Sequence, residues 1–240
     1  METTKAAIHV TKSIGVSLSD VQVLDNWGNE ASVLVENCSG FQIKRCLIQN
    51  YSRIAVDDRI GTELLESGFA FNAIDGHGLI VRESSGVMVT NNRIIERRMI
   101  PTPELKTKFR LGSFIRKTRK GSHISQKVWD AEYVNNWHQG SALMITGPET
   151  SDYIHIIGNY IENAAQGIDI HADHVVIAQN IVNNAFIGMK ATHGARNVIL
   201  VGNQFSKNDL WSINLVPGGH SHFAEAATED RPPARTGPII

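Results

Sequence analysis

A repeat of short apolar segments, each closed by an asparagine, is the feature that most constrains the fold of this chain. The segments cover residues 154–159, 175–180 and 198–203, and their asparagines are 21 and 23 residues apart. The segments are rich in Ile and Val, which favour strands, and carry no helical pattern. A strand repeat of about 20–25 residues is typical of a β-solenoid. Because a solenoid stacks equivalent side chains of successive coils, the repeat also predicts which residues are neighbours.

The repeat extends towards the N-terminus, with Asn92, Cys46 and Asp20 at the asparagine position. A second strand precedes each of these segments and a third follows at once, which predicts an all-β fold with three strands per coil and about six coils. The preceding strands lie at 32–36, 78–82, 141–145, 167–171, 188–192 and 212–216. We expect each asparagine at a tight bend, where it tolerates a left-handed backbone and its amide bonds to the equivalent amide one coil on.

The repeat also sets the domain boundaries. Residues 1–217 are predicted to form one solenoid domain with two insertions at the same corner, at about 51–75 and 97–139. The tail at 218–240 is poor in large apolar residues and is predicted to be disordered. The first residues lack the apolar core of a secretory signal, and no cap covers the first coil. We therefore expect either a fragment of a longer protein or a further domain or partner at that end.

Charge, hydropathy and cysteine spacing exclude several classes of protein. The chain has 23 Lys and Arg against 24 Asp and Glu in 240 residues, which argues against nucleic acid as a partner. No apolar run reaches about 18 residues, so no membrane span is predicted. An extended segment between Cys38 and Cys46 holds the thiols roughly 20 Å apart, so both are predicted to be free and buried.

The second insertion is strongly basic in an otherwise neutral chain. Up to position 127 it has ten Lys and Arg residues and one acid, Glu104. The cations are Arg97, Arg98, Lys106, Lys108, Arg110, Arg116, Lys117, Arg119, Lys120 and Lys127. Two interpretations stay open: a solvated loop with a helix near 104–110, or a cationic wall for a polyanion.

Three-strand coils with asparagine at the second turn resemble the right-handed, single-stranded parallel β-helix of the pectate-lyase-like superfamily. The resemblance covers about residues 6–216. It implies a carbohydrate-active protein and an extracellular or periplasmic location. The partner that it implies is an acidic polysaccharide.

Strand alternation predicts a polar stripe on the outer face of the first strand of the coils. Ile168 and Ile170 point inwards, so Asp169 and His171 point outwards, and Lys190 and Thr192 follow one coil on. We expect Lys190 beside Asp169 and Thr192 beside His171. The intervening coil before Asp169 offers either Ala142 and Met144 or Leu143 and Ile145, depending on register. The whole stripe comprises Arg82, Asp169, His171, Lys190, Thr192 and Asn214.

The segment at 166–171 resembles a motif of mannuronan C5-epimerases, Tyr-Gly-aromatic-Asp-Pro-His on the same strand. Gly167, Asp169 and His171 match it, whereas Gln166 stands where the family has a catalytic tyrosine and Ile170 where it has proline. The family's lysine lies one coil earlier, and here Lys190 lies one coil later. The resemblance implies catalytic roles for Asp169 and His171, and Lys190 joins them as the one lysine nearby.

This set fits the chemistry of uronate lyases and epimerases, which remove the proton next to a carboxylate. His171 is the best-tuned base, Asp169 can orient it, and Lys190, Arg82 or Ca²⁺ can neutralise the substrate carboxylate. The cofactor prediction is none, with Ca²⁺ as the one candidate. The predicted substrate-binding residues are Arg82, Thr192, Asn214, Arg116, Lys117, Trp137 and His138.

Alternatives to this enzymatic hypothesis stay open. The stripe is also what an ordinary polar outer face looks like, and Asp169–Lys190 can be a simple surface pair. The histidines and acid at 171, 173, 174 and 193 match no zinc spacing and are interpreted as turn residues, as is 75–78. Asp169 has no second carboxylate near it, which argues against a glycoside hydrolase. The second hypothesis is a non-catalytic module that binds glycan or forms part of a tailspike-like assembly.

Overall fold

The computed structural model describes residues 5–28, 30–58, 69–109, 111, 115–116, 140–192 and 194–215, and all structural statements below concern these. Their regular secondary-structure elements are β-strands, with one described helix. Among the described residues no helix is long and apolar enough to cross a membrane. The predicted tail at 218–240 lies outside the described residues.

Successive coils each contribute three strands. The first coil has β1 (Ile8–Thr11), β2 (Ser17–Ser19) and β3 (Gln22–Leu24), and the second has β4 (Ala31–Glu36), β5 (Gln42–Lys44) and β6 (Leu47–Gln49). The first insertion follows, with β7 (Arg53–Asp58) and β8 (Phe69–Asp75). The third coil has β9 (His77–Arg82), β10 (Met88–Thr90) and β11 (Arg93–Ile95), and the second insertion adds α1 (Pro103–Phe109) and β12 (Ile115–Arg116).

The same pattern continues after the second insertion. The fourth coil has β13 (Ser141–Thr146), β14 (Ile154–Ile157) and β15 (Tyr160–Glu162). The fifth has β16 (Gln166–Ile170), β17 (Asp173–Ala178) and β18 (Ile181–Asn183). The sixth has β19 (Ile187–Ala191), β20 (Arg196–Val201) and β21 (Gln204–Ser206), and β22 (Trp211–Leu215) begins a seventh.

Equivalent strands of successive coils pair in parallel to form three long sheets. The first sheet has the order β1-β4-β9-β13-β16-β19-β22, the second β2-β5-β10-β14-β17-β20, and the third β3-β6-β11-β15-β18-β21. Each turn of the chain therefore adds one strand to each sheet. This all-β arrangement, with parallel sheets of six and seven strands, is consistent with the predicted parallel β-solenoid.

The core lies between the three sheets and is built from stacked aliphatic side chains. Ile168 and Ile170 of β16 and Met189 and Ala191 of β19 are fully buried in it, as alternation predicts. Cys38 and Cys46 are free thiols in the same core, as predicted. Two small apolar clusters lie outside this core and include Ala165 and Leu34, respectively.

The predicted asparagine ladder is present at the corner between the second and third sheets. Asn92, Asn159 and Asn180 each donate from Nδ2 to Oδ1 of the next asparagine, at 3.0, 2.9 and 2.9 Å, and the series ends at Asn203. These asparagines are not themselves left-handed, because the preceding residue takes the positive φ, as at Gln179 with 55°.

The first coil differs from the prediction by one position. Asp20 has a φ of 59° and therefore occupies the left-handed position, which leaves Val21 at the ladder position. The register of β2 with β5 gives the same assignment, because Ser19 pairs with Lys44, so that Val21 aligns with Cys46. In the later coils the sequence assigned the left-handed backbone to the ladder asparagine, whereas the residue before that asparagine has it.

Both insertions leave the coils after the third strand, since the ends of β6 and β11 pair in register, Gln49 with Ile95. Strands β7 and β8 form an antiparallel hairpin, and β12 of the second insertion adds to its edge. Buried Glu96 anchors both insertions, because its carboxylate accepts hydrogen bonds from the backbone N–H of Ser52 at 2.9 Å and of Arg98 at 2.7 Å. The helix predicted near 104–110 is α1.

Candidate functional site

The outer face of the first sheet carries a column of side chains in register. Met144 pairs with Asp169, Asp169 with Lys190, and Lys190 with Asn214. The coil before Asp169 therefore presents Met144 outwards, which decides between the two registers left open by the sequence. The predicted placement of Lys190 beside Asp169 is confirmed.

Glycine allows the strands of this site to approach closely. A Cβ atom at Gly167 would lie 2.3 Å from the carbonyl oxygen of Gly188 and 2.6 Å from a methyl group of Val182. Both contacts are shorter than side chains tolerate, so a larger residue would push β16 away from β19. This glycine keeps Asp169 and Lys190 at the spacing of neighbouring coils.

Asp169 is the centre of the site and binds two basic side chains. Lys190 Nζ lies 3.1 Å from Asp169 Oδ2, and His171 Nε2 lies 3.0 Å from Asp169 Oδ1. Burial by itself raises the pKa of the Asp169 carboxyl, but the charges of Lys190 and His171 outweigh it and hold that pKa well below its usual range. Asp169 is therefore an anion at neutral pH.

His171 has a second contact through its other ring nitrogen. Its Nδ1 lies 3.4 Å from the hydroxyl oxygen of Thr192, which places these two side chains together as predicted. His171 and Thr192 directly follow β16 and β19, and their backbone N–H groups continue the ladder to the preceding coil. When His171 is neutral and its Nε2–H points towards Asp169 Oδ1, its Nδ1 has the lone pair of a base.

The side chains of the site are more buried than the sequence predicts for the outer face of a strand. The side chains of Asp169 and Lys190 are 2% and 7% exposed, and that of His171 is 14% exposed. The insertions contribute to the covering of this sheet, because Ile74 and Leu105 pack with Ala165 and Phe186 at the start of its strands. The interpretation of Asp169–Lys190 as a simple surface pair is therefore wrong.

Arg82 and Asn214 belong to the predicted stripe but differ in position. Asn214 lies next to Lys190 in register. Arg82 pairs in register with Thr146 of the coil before His171, and its guanidinium donates to Glu36 at 2.7 Å. Arg82 thus lies at the far end of the stripe and is paired with an acid there.

His77 is a further residue near the site, although its sequence context indicates only a turn entering a strand. It begins β9, and its Nδ1 accepts a hydrogen bond from the backbone N–H of Ser141 at 3.1 Å. Burial lowers the pKa of His77, and the negative charges of Asp75 and Asp169 offset part of this effect. The one feature of the sequence that could have indicated His77 is its position between two glycines at the start of β9.

Three described cations of the second insertion contact the coils. Arg97 pairs with Glu162 at 3.0 Å, Lys106 pairs with Asp209, and the Arg98 guanidinium lies 4.0 Å from the ring centroid of Trp27. Of the predicted binding residues in this insertion, Lys117, Trp137 and His138 lie outside the described residues, and for Arg116 only the backbone is described.

The described residues offer no cluster of three or more His, Cys, Asp and Glu side chains that could hold a metal ion. Ca²⁺ prefers six to eight oxygen ligands, whereas the Asp169 carboxylate is occupied on both oxygens by nitrogen groups. The described side chains around Asp169 therefore do not form a ligand set that fits Ca²⁺. Asp173 and His174, interpreted from the sequence as turn residues, are the first two residues of β17 and contact each other at 3.2 Å. His193 lies outside the described residues.

Comparison of the chain with protein-family models and with curated proteins gives no match. The function proposed below therefore depends on the residues of the site and on the resemblances in the sequence.

Proposed function

We propose that this protein acts on a uronate-containing polysaccharide by removing the proton next to the sugar carboxylate, as a lyase or a C5-epimerase. The observation that carries the proposal is the contact between His171 Nε2 and Asp169 Oδ1 at 3.0 Å. A buried carboxylate on one ring nitrogen fixes the orientation of an imidazole, and the other nitrogen, which lies 3.4 Å from the Thr192 hydroxyl oxygen, is the proposed base.

The proposal includes the finer fold class, a right-handed parallel β-helix of the pectate-lyase-like type. The three parallel sheets and the asparagine ladder support it. Right-handedness follows from the general rule for connections between parallel strands of one sheet. In such a helix the outer face of the first sheet, with Asp169 on it, is the floor of the substrate groove.

Different accessibilities assign different roles to the three charged residues. His171 is the most exposed of them and is the group proposed to reach the substrate, as the base. Asp169 orients His171 and stabilises the imidazolium that forms when the proton arrives. Lys190 neutralises Asp169 rather than the substrate, because its ammonium group is buried against that carboxylate.

Neutralising the substrate carboxylate then requires another cation. The carbanion next to a carboxylate is too unstable to form without such a charge. The basic second insertion supplies the candidates, Arg116 and Lys117, from the cationic wall that its composition predicts. In a lyase the electron pair of the broken C–H bond forms a C=C bond and the neighbouring glycosidic oxygen leaves. In an epimerase a proton returns to the opposite face.

The second candidate function is a non-catalytic glycan-binding module. It is favoured by the burial of Asp169 and Lys190, whose charges satisfy each other as they would in a purely structural pair. The two candidates differ in whether His171 takes a proton from a bound substrate.

An assay on uronate polymers separates them. The protein is incubated with alginate, pectate and other polyuronates, with and without Ca²⁺. Absorbance of unsaturated products reports a lyase, and uptake of solvent deuterium into the sugar reports an epimerase. We expect one of these signals, lost in His171→Ala and Asp169→Asn and retained in the matched control His9→Gln, which alters an exposed histidine on the first strand. Binding with neither signal supports the module instead, and activity that survives both site variants contradicts the assignment.

A further inference from the structure

A second surface of the protein carries a feature that neither the repeat nor the site explains. At the corner where each strand of the second sheet begins, one residue just before the strand or at its second position takes a left-handed backbone. In the first three coils this residue is glycine, and in the next three it is a tyrosine, a histidine and an asparagine. The positions are Gly15, Gly40 and Gly86, with φ of 67°, 67° and 61°, followed by Tyr153, His174 and Asn197, with φ of 52°, 48° and 49°.

Glycine is the favoured residue for this backbone, and a large side chain there costs free energy. Asparagine tolerates the left-handed region, but a bulky residue such as tyrosine is an outlier in it. Packing in the core does not explain why tyrosine stands here in place of glycine, because Tyr153 is 61% exposed. At this position the first three coils have glycine, whereas the three later coils have side chains on the protein surface.

The three side chains form a ladder along the solenoid, which we call the corner ladder. The rings of Tyr153 and His174 are stacked, with centroids 5.0 Å apart and planes at 16°. Asp173 anchors the ladder, because it contacts His174 Nδ1 at 3.2 Å and accepts a hydrogen bond from Asn197 Nδ2 at 2.8 Å. Arg196 holds Asp173 in turn, at 3.1 Å. The ladder is thus pre-organised before any ligand arrives.

A groove of about 350 Å³ runs beside the corner ladder on the outer face of the second sheet. Val176 and Ile199 form its apolar floor, and His155 stands next to Val176 in register. Ile199 is 45% exposed although it is a large aliphatic residue on a strand. The volume lies in the range of small-molecule sites, about 300–1,000 Å³.

We propose that this groove binds a neutral saccharide unit, with one sugar ring in contact with the Tyr153 and His174 rings that line it. The flat C–H face of a sugar ring suits an aromatic platform, and its hydroxyl groups suit the Asn197 amide and the His155 imidazole at the rim. A purely apolar ligand would cover the Asn197 Oδ1 and the His155 imidazole without offering them a hydrogen-bonding group. A uronate is disfavoured, because no lining residue is Lys or Arg and Asp173 lies directly behind the ladder.

This site is separate from the one proposed above. The corner ladder and groove belong to the second sheet, whereas Asp169 belongs to the first. The proposal does not depend on the lyase or epimerase chemistry and holds equally for a non-catalytic protein.

The fold itself supplies the test variant, Tyr153→Gly, which restores the residue used at the same corner in the first three coils. Because glycine suits the backbone there, we expect this variant to fold with unchanged or higher thermal stability. The matched control is Lys207→Gly, which exchanges another exposed left-handed residue, with φ of 53°, at a corner outside the groove. Binding of cellohexaose, xylohexaose, mannohexaose and maltohexaose is measured by titration calorimetry, with hexagalacturonate as the anionic probe.

We expect at least one neutral hexasaccharide to bind, and Tyr153→Gly to weaken it about tenfold, the size of one aromatic contact. Lys207→Gly is expected to bind as the unchanged protein does. The proposal is overturned when no neutral probe binds at 10 mM or below, when Tyr153→Gly binds equally well, or when hexagalacturonate binds at this groove more tightly. Loss of a dimer in Tyr153→Gly, measured by size-exclusion chromatography, would assign the groove to contacts between copies of the chain and also overturn it.

Discussion

Asp169 and Lys190 stand at equivalent positions of successive coils and form a buried ion pair, with Nζ 3.1 Å from Oδ2. Both lie on the outer face of the first sheet, opposite the aliphatic core. A buried pair of this kind is stable because each charge compensates the other, and removing one member leaves the second unpaired in a poorly solvated position. The pair thus links the stability of the fold to the residues of the candidate site.

Asp169→Asn is expected to destabilise the protein by about 3–5 kcal/mol at pH 7, since it leaves the Lys190 charge buried without a partner. Urea unfolding followed by circular dichroism measures the loss. The double variant Asp169→Leu/Lys190→Met is expected to recover most of it, because it removes both charges. Asp20→Asn, which breaks an exposed pair with Arg45, serves as control and is expected to have a much smaller effect. Equal losses in Asp169→Asn and the control would contradict the role of the pair.

The lowered pKa of Asp169 gives this pair a defined pH dependence. A carboxyl whose pKa is lower in the folded than in the unfolded state stabilises the fold above its unfolded pKa, about 3.9. This stabilisation is lost as pH falls through the folded value. We expect the difference in unfolding free energy between the unchanged protein and Asp169→Asn to shrink as pH falls below about 4. A difference that grows on acidification would contradict it.

The asparagine ladder makes a second contribution to stability. Asn180 is fully buried, and its Oδ1 accepts from the backbone N–H and the Nδ2 of Asn159, at 2.9 Å each. We expect Asn180→Ala to cost about 1–3 kcal/mol for each buried group left without a partner. Urea unfolding is the measurement, and Gln204→Ala, at an exposed strand position, is the control. A loss no larger than that of the control would mean that water replaces the ladder.

The repeat predicts the fold well because its signals are local and recur in each coil. Alternation gave the inward Ile168 and Ile170, and the spacing of asparagines gave the ladder. The exact left-handed residue could not be predicted, because Asn91 and Asn92 are both compatible with that backbone and only the hydrogen bonds distinguish them. The edge pairing of β12 with β8 also escaped prediction, since it joins two separate insertions.

The candidate site was predicted in part for the same reason. Register alone places Lys190 beside Asp169 and Thr192 beside His171. Their burial was not predictable, because residues far away in sequence, such as Leu105, pack on the same sheet. The position of His77 near Asp169 depends on the hydrogen bond from Ser141, which no sequence pattern specifies. The catalytic roles of Asp169, His171 and Lys190 stay predictions.

Glu96 offers a test of how the insertions are held. Its carboxylate accepts backbone hydrogen bonds from Ser52 at the first insertion and from Arg98 and Met99 at the second. Glu96→Gln keeps the shape but replaces one acceptor oxygen by a donor, so we expect a loss of about 1–3 kcal/mol. Hydrogen exchange should accelerate at 52 and 97–99 before the coils are affected. The control is the exposed Glu83→Gln, and equal exchange in both variants would contradict an anchoring role.

His77 gives the protein a pH dependence at higher pH than Asp169 does. Burial lowers its pKa in the folded state, so below the unfolded value of about 6.5 the unfolded chain binds more protons. The stabilisation from neutral His77 is therefore present above about pH 6.5 and is lost as pH falls below it. We expect the urea midpoint to fall between pH 7.5 and 5.5, and to fall less in His77→Asn, whose side-chain oxygen can still accept from Ser141. His9→Gln, at an exposed histidine, should keep the full decrease. An unchanged decrease in His77→Asn would assign the pH dependence to other groups.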